Sequence, residues 1–253
     1  MSDIDAAAIL STTRVRTVEH HAVIESTNRR AMERLQDEPQ LPLLVVADEQ
    51  TAGRGRGSNA WWSPPGCLMF SLVLARHETS AKLPPYSLCV GLGVRAAIAE
   101  LLVDQDVKVK WPNDVFVGDR KICGILIELP PGDSGKLVVG VGINVNNSTA
   151  QAPLDVASTV ATLADLGNRT FSRTVVLTSV LNLVAAEIDG VQDDLQTRWL
   201  PHCYLSGRSV AVERGNQLDR GVCEGIDASG ALLLNTGSGV VPVSSGTVRI
   251  EPA

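Results

Sequence analysis

From Ser206 onward the chain breaks into short, closely spaced apolar runs, and this limits the possible folds more than any other feature. Ser209 to Glu213, Gly221 to Ile226, Ala231 to Leu234, Val240 to Val243 and Thr247 to Ile250 are the runs. Arg214-Gly215-Asn216, Asp227-Ala228-Ser229-Gly230 and Thr236-Gly237-Ser238-Gly239 lie between them. Gly, Asn and Asp accept turn conformations that other residues resist. Five short strands at this spacing predict a small barrel. We therefore divide the chain into residues 1–205 and residues 206–253.

The longer part alternates helical and strand patterns. Glu25-Ser26-Thr27-Asn28 is a helix start in which a hydroxyl can cap free amides, and Ala31, Met32 and Leu35 follow at helical spacing. Leu43 to Ala47 and Leu68 to Ala75 read as strands, with a Gly-rich loop from Asp48 to Gly66 between them. Leu88 to Leu102 reads as a buried helix despite Gly91 and Gly93. Lys108 to Val117, Lys121 to Leu129 and Leu137 to Val145 read as three strands, with turns at Gly118-Asp119 and Pro131-Gly132-Asp133. Thr174 to Leu200 holds one or two helices, and residues 1 to about 20 form a short arm. The class is mixed α/β (α+β).

Several functions are disfavoured by composition. A net charge of −6 argues against broad nucleic-acid binding. No apolar run approaches the roughly 20 residues of a membrane span, and the N-terminus lacks a signal pattern, so a cytoplasmic protein with no membrane partner is expected. Cys67, Cys89, Cys123, Cys203 and Cys223 are odd in number and form no CxxC pair; they read as small buried apolar residues.

The segment Gln50-Thr51-Ala52-Gly53-Arg54-Gly55-Arg56-Gly57 sets two arginines among three alternate glycines. Guanidinium forks match carboxylate and phosphate oxygens, and glycine lets backbone approach a ligand. The segment fits neither GxxxxGK[ST] nor a dinucleotide fingerprint, because Trp61-Trp62-Ser63-Pro64-Pro65 follows where a helix should open. A solvated surface loop is the competing reading.

A second constellation is Lys110-Trp111-Pro112-Asn113-Asp114, at a strand break, followed by Arg120-Lys121-Ile122-Cys123-Gly124. Asp114 offers a hard oxygen to Mg²⁺, and Lys121 begins an apolar strand at a pocket edge. A turn aspartate and a solvated strand end are the alternatives. Gly140-Val141-Gly142-Ile143-Asn144 places glycines inside a strand, which marks close approach by a ligand or another backbone.

In this order the segments resemble the biotin protein ligase family from about residue 18 to the end, and the β-rich C-terminus resembles that family's SH3-like domain. The resemblance implies a catalytic fold related to class II aminoacyl-tRNA synthetases and lipoate ligases. It implies that biotin and ATP, with Mg²⁺, give biotinyl-adenylate, and that biotin then passes to a lysine of a carboxylase carrier domain. Biotin contacts are implied for Ser26, Thr27, Asn28, Gln50, Gly53, Arg54, Gly55, Arg56, Lys121 and Gly124. Nucleotide contacts are implied for Arg56, Trp61, Lys110, Asn113, Lys121 and Asn144, and metal binding for Asp114. Lys121, Arg54 and Arg56 are the implied catalytic groups. Gly57-Ser58-Asn59-Ala60 departs from the family, which carries further basic residues there. Too few residues precede Ser26 for the helix-turn-helix of some members, so no nucleic-acid partner is expected. The protein is expected to be a monomer or homodimer. A lipoate ligase, a non-catalytic biotin- or nucleotide-binding regulator and an RNA-binding protein are the rivals.

Overall fold

The computed structural model describes residues 2–76, 83–132, 135–190 and 194–251; the expected turn residue Asp133 lies outside them. Strands β1 (Thr17–Ile24), β2 (Leu43–Gln50), β3 (Leu68–Ala75), β4 (Val107–Lys110), β5 (Asp114–Val117), β6 (Arg120–Glu128) and β7 (Lys136–Ile143) form one sheet in the order β1-β2-β3-β7-β6-β5-β4. Only β1 and β2 pair in parallel. The helices are α1 (Ala6–Thr12), α2 (Thr27–Arg34), α3 (Leu83–Leu101), α4 (Leu154–Ala157), α5 (Leu163–Gly167), α6 (Arg173–Asp189) and α7 (Leu195–Trp199). The run Leu43–Val46 is apolar throughout because both faces of β2 are covered. Leu43 and Val45 pack under α2 with Ala31, while Leu44 and Val46 join the main core with α3 and α6.

Three expectations need correction. Residues 1–20 are not an arm: they hold α1 and the start of β1. Lys108 to Val117 is two strands, because Trp111-Pro112-Asn113 turns the chain between β4 and β5. Ser26 makes no capping bond; Gln50 Oε1 accepts from the Thr27 amide at 2.8 Å and from Thr27 Oγ1 at 3.1 Å. The cap comes from the neighbouring strand and leaves the Ser26 hydroxyl uncommitted to it. Residues 149–167, unassigned from sequence, carry α4, α5 and a short 3-10 turn.

The N-terminal residues are held by Arg173, whose guanidinium meets Asp3 at 2.6 Å and Asp48 at 2.8 Å. It also donates to the Cys67 carbonyl at 3.3 Å. Burial pushes the Asp3 and Asp48 carboxyls up, but hydrogen bonds (from Arg173 to Asp3, from Ser2 and Arg173 to Asp48) and the Arg173 charge outweigh it and hold both below 3.8. Their folded pKa values are depressed, so their stabilisation is complete above 3.8 and is lost as pH falls through the folded values. Asp3→Asn is expected to flatten the acid side of a stability–pH curve; an unchanged acid limb in chemical denaturation at several pH values would contradict this.

Helices α3 and α6 pack backbone to backbone at Gly93, where a Cβ would stand 2.7 Å from both Cα and N of Val184. This is why glycine is tolerated inside α3. Gly93→Ala is expected to cost about 3 kcal/mol by overpacking, lowering the thermal midpoint by about 6–12 °C; calorimetry checks it.

The C-terminal residues form strands β8 (Ser209–Arg214), β9 (Gln217–Ile226), β10 (Leu232–Asn235), β11 (Val240–Val243) and β12 (Thr247–Ile250), all antiparallel in the order β11-β10-β9-β8-β12. Among the described residues β11 and β12 do not pair, so the expected barrel is, by its hydrogen bonds, an open sheet. Its inner side chains, including Val210, Val212 and Leu232, join the core of the larger sheet. Among the described residues no helix is long and apolar enough to cross a membrane.

Candidate active site

One row of cross-strand neighbours runs over the face of the sheet that carries α2. Ala47 faces Met69, Met69 faces Gly142, Gly142 faces Gly124, Gly124 faces Asp114, and Asp114 faces Lys110. Directly paired side chains lie on one face about 5 Å apart, so Lys110 and Asp114 stand side by side while the two glycines leave the row open between them and β3. The register of β5 against β6 slips at Val115/Phe116. A regular strand would turn Lys121 and Gly124 to opposite faces. The slip is a bulge that pairs Phe116 with Lys121 rather than Ile122. Lys121 and Gly124 therefore both line the same cavity, and Ile122 is buried in the core.

That cavity has a volume of about 430 Å³, within the range of small-molecule sites. At one end α2 and β3 build a polar network. Ser71 Oγ donates to Asn28 Oδ1 at 2.5 Å and lies 2.8 Å from Thr27 Oγ1. Asn28 Nδ2 donates to Glu128 Oε2 at 2.7 Å and to the Leu126 carbonyl at 3.2 Å. Ser26, Thr27, Asn28 and Ser71 are all buried, where each polar atom needs a partner. Gly140 makes room for this network, since a Cβ there would lie 2.1 Å from Asn28 Oδ1. The glycines of β6 and β7 thus admit side chains of the protein itself: Asn28 over Gly140, and the Trp61 ring over Gly124 and Gly142.

The other end is cationic. Lys121 Nζ lies 2.6 Å from Asp114 Oδ1 and 5.6 Å from the Trp61 ring centroid. The ion pair is off-angle, so Asp114 Oδ1 is buried without a hydrogen bond. Burial lowers the pKa of Lys110 and of Arg56 while the Asp114 charge raises both. Three cations thus surround a single carboxylate, an arrangement suited to anions. The Asp114 carboxylate is also a hard oxygen donor of the kind Mg²⁺ takes. Among the described residues no cluster of three or more His, Cys, Asp or Glu exists, so a metal here would draw its remaining ligands from phosphate and water.

The Gly-Arg segment folds as a small hairpin. Trp61 N donates to Gly53 O at 3.0 Å, Gly55 N donates to Asn59 O at 2.7 Å, and Gly57 turns the tip with φ +65°. Arg54 pairs with Glu128 at 2.7 Å. Arg56 reaches the other way, donating to the Gly246 carbonyl at 2.6 Å and to Asn113 Oδ1 at 3.5 Å. Gly246, Thr247 and Val248 complete the wall, so the C-terminal sheet is part of the site. Trp111 Nε1 ties the Lys110–Asp114 turn to the same sheet through the Gly230 carbonyl at 3.0 Å.

Most residues singled out from sequence line this one cavity; two do not. Gly53 lies against Ser63 and the Trp61 carbonyl, where a Cβ would come within 3.0 Å, so it closes the hairpin. Asn144 is 1% exposed, and its Oδ1 accepts from Cys67 Sγ at 3.6 Å and Asn147 Nδ2 at 3.2 Å. Its side chain ties the end of β7 to Cys67 and Asn147, beside the cavity rather than in its lining. Sequence reading missed Ser71, Glu128 and the Gly246–Val248 segment. The lone Ser71 in an otherwise apolar strand was the available signal.

A mixed sheet carrying a cation-lined cleft, a Gly-Arg hairpin over it and a second β unit at its wall is the architecture of a ligase that handles carboxylates and nucleotides. Residues 21–146 match the model of the Biotin/lipoate A/B protein ligase family, and residues 205–250 match that of the biotin protein ligase C-terminal domain. The chain is 32% identical over 238 residues to the bifunctional ligase/repressor BirA of Escherichia coli, covering 91% of this chain and 73% of that one. It is 30% identical over 217 residues to the biotin–[acetyl-CoA-carboxylase] ligase of Mycobacterium tuberculosis, covering 81% and 78%. The structure of the Aquifex aeolicus biotin protein ligase in complex with biotin and ATP superposes with a TM-score of 0.83 at 28% identity, covering 93% of this chain and all of that one. The chain belongs to the biotin protein ligase family.

Proposed function

We propose that this protein activates biotin with ATP and attaches it to a lysine of an acyl-CoA carboxylase carrier domain in the cytoplasm, with residues 1–205 as the catalytic unit and 206–253 as a closing unit. The observation that carries the reading is the pairing, in one cavity, of a buried network of hydroxyls and carboxamides with a cluster of three cations. The network from Ser26 to Asn28, with Gln50 and Ser71, suits a small neutral heterocycle such as the biotin ureido ring. Lys121, Lys110 and Arg56 suit a carboxylate and a phosphate brought together.

A biotin carboxylate oxygen attacks the α-phosphorus of ATP, the bond to the bridging β-phosphate oxygen breaks, and pyrophosphate leaves. Repulsion between the two anions raises this barrier, and fixed cations held away from water offset it. Lys121 stands where carboxylate and phosphate meet, and Lys110 and Arg56 face the phosphate side. Asp114 would hold Mg²⁺, which neutralises charge on the leaving group. The Arg54–Arg56 hairpin keeps water from the mixed anhydride. The carrier lysine then attacks the acyl carbon as a neutral amine, the bond to AMP breaks, and the amine proton is lost.

The test is pyrophosphate release from MgATP by purified protein with biotin, and with lipoate in parallel. Release with biotin and not lipoate is the expected result. Release with lipoate alone would move the substrate to the sister chemistry, and release with neither would overturn the enzymatic reading.

A further inference from the structure

Lys110 lines the cavity, yet among the described residues its ammonium makes no ion pair. It rests instead over the Phe116 ring, 5.2 Å from the centroid. Phe116 is stacked on Tyr204, with centroids 4.7 Å apart and planes 28° apart. The Arg208 guanidinium covers the Tyr204 ring at 4.3 Å. Four groups, Lys110, Phe116, Tyr204 and Arg208, are thus in continuous contact from the cavity to the segment that leads into β8. Tyr204 is fixed at both ends: its hydroxyl donates to Asp119 Oδ1 at 2.8 Å, and its amide donates to the carbonyl of Val109, the residue before Lys110, at 2.9 Å. Both rings are buried, Phe116 at 9% and Tyr204 at 7% exposure.

A lysine has a long flexible stem and a point charge, so it binds a phosphate well only if its ammonium is held in place beforehand. A ring face supplies such a hold without neutralising the charge. We infer that Phe116 and Tyr204 are positioning residues for Lys110, seating its ammonium toward the ATP phosphates and tying that seat to the junction with the C-terminal sheet. The inference rests on the ligase reading and on Lys110 serving the nucleotide. Asp114, the cross-strand neighbour of Lys110, is taken up by Lys121 at 2.6 Å and lies beyond ion-pair distance of Lys110, so it does not cancel the Lys110 charge. The ring keeps it available, and the Val109 carbonyl bond keeps the ring in register with the lysine backbone.

The experiment is steady-state kinetics of biotin-dependent pyrophosphate release by the full chain, varying MgATP and biotin separately. Tyr204→Leu is expected to raise KM for MgATP about tenfold and to leave KM for biotin within twofold. Tyr204→Phe, which keeps the stack, should stay near wild type. In a Lys110→Met background Tyr204→Leu should add little, because the two act through one contact. Should Tyr204→Leu fail to fold, Phe116→Met, which keeps volume and removes the ring, must show the same rise in KM for MgATP. An unchanged KM for MgATP in the folded variants would overturn the inference, as would equal rises for both substrates or full additivity with Lys110→Met. Wild-type protein that releases no pyrophosphate with biotin would instead sink the functional reading beneath it.

Discussion

Lys121→Ala is expected to slow biotin-dependent pyrophosphate release by about a thousandfold or more, while the protein stays folded. The ammonium lies 2.6 Å from Asp114 and shares the cavity with Lys110 and Arg56, so it is fixed before substrate arrives. A preorganised donor aimed at developing charge carries about a factor of 10²–10³ in an enclosed site. Removing this one also takes away the cation in direct contact with Asp114, leaving that carboxylate with only Lys110 and Arg56 to offset it as two anions arrive. That second effect places the loss at the upper end. Lys121→Arg keeps the charge but presents a planar fork, and it should recover only part of the rate. Lys121 is partly exposed at the strand end, so circular dichroism and the thermal midpoint should change little. A folded Lys121→Ala protein within tenfold of wild type would show that Lys121 is not at the reacting centre.

The second large effect is expected at Gly140→Ala. The added Cβ would stand 2.1 Å from Asn28 Oδ1, inside any permitted contact, with the β7 backbone held on both sides by β3 and β6. Asn28 must therefore move. It would surrender the Ser71 hydroxyl at 2.5 Å and the Glu128 carboxylate at 2.7 Å. Glu128 also anchors Arg54 at 2.7 Å, so the hairpin would be loosened by the same substitution. A misplacement of about 1 Å in a binding constellation costs about a hundredfold. KM for biotin is expected to rise by about that factor, with KM for MgATP rising less, because Lys110 and Lys121 keep their places on β4 and β6 and only Arg56 shares the loosened hairpin. Calorimetric titration with biotin gives an independent reading. Unchanged biotin affinity in a folded Gly140→Ala protein would remove the Ser71–Asn28–Glu128 network from the biotin site.

The elements whose periodicity is set by burial were readable from the sequence. β3 matches its expected bounds at both ends, and β12 does as well: Gly66 precedes β3 and charged residues follow Ala75, while Gly246 and Pro252 flank β12. Residues 1–20 were not readable, since α1 carries one fully buried side chain, Ile9, and depends on long-range contacts to Arg173 and Thr174. The motif residues were found by type and order, but the bulge that gathers Lys121 with Gly124 has no local signature. The Gln50 cap on α2 was equally hidden, because it joins residues 23 positions apart. Phe116 and Tyr204 carry no sequence signal of their stack, because it joins residues 88 positions apart. Asn144 could be found as a polar residue at a strand end, but its partners Cys67 and Asn147 could not.

The two sheets meet at the cleft through main-chain oxygens: Trp111 donates to the carbonyl of Gly230, and Arg56 to that of Gly246. Both oxygens come from glycines with positive φ, Gly230 at +77° and Gly246 at +141°, and a Cβ at Gly246 would stand 2.5 Å from Val212, so these two positions ask for glycine while the bonds themselves ask nothing of other side chains in the smaller sheet. What they require is that the turns at 227–231 and 244–247 keep their lengths and so deliver an oxygen to the right point. Sequence drift in the small sheet should be cheap and insertions there costly. A chimera carrying a foreign small sheet should work when its loop lengths and these two glycines agree and fail when they do not, whatever the percentage of other shared residues.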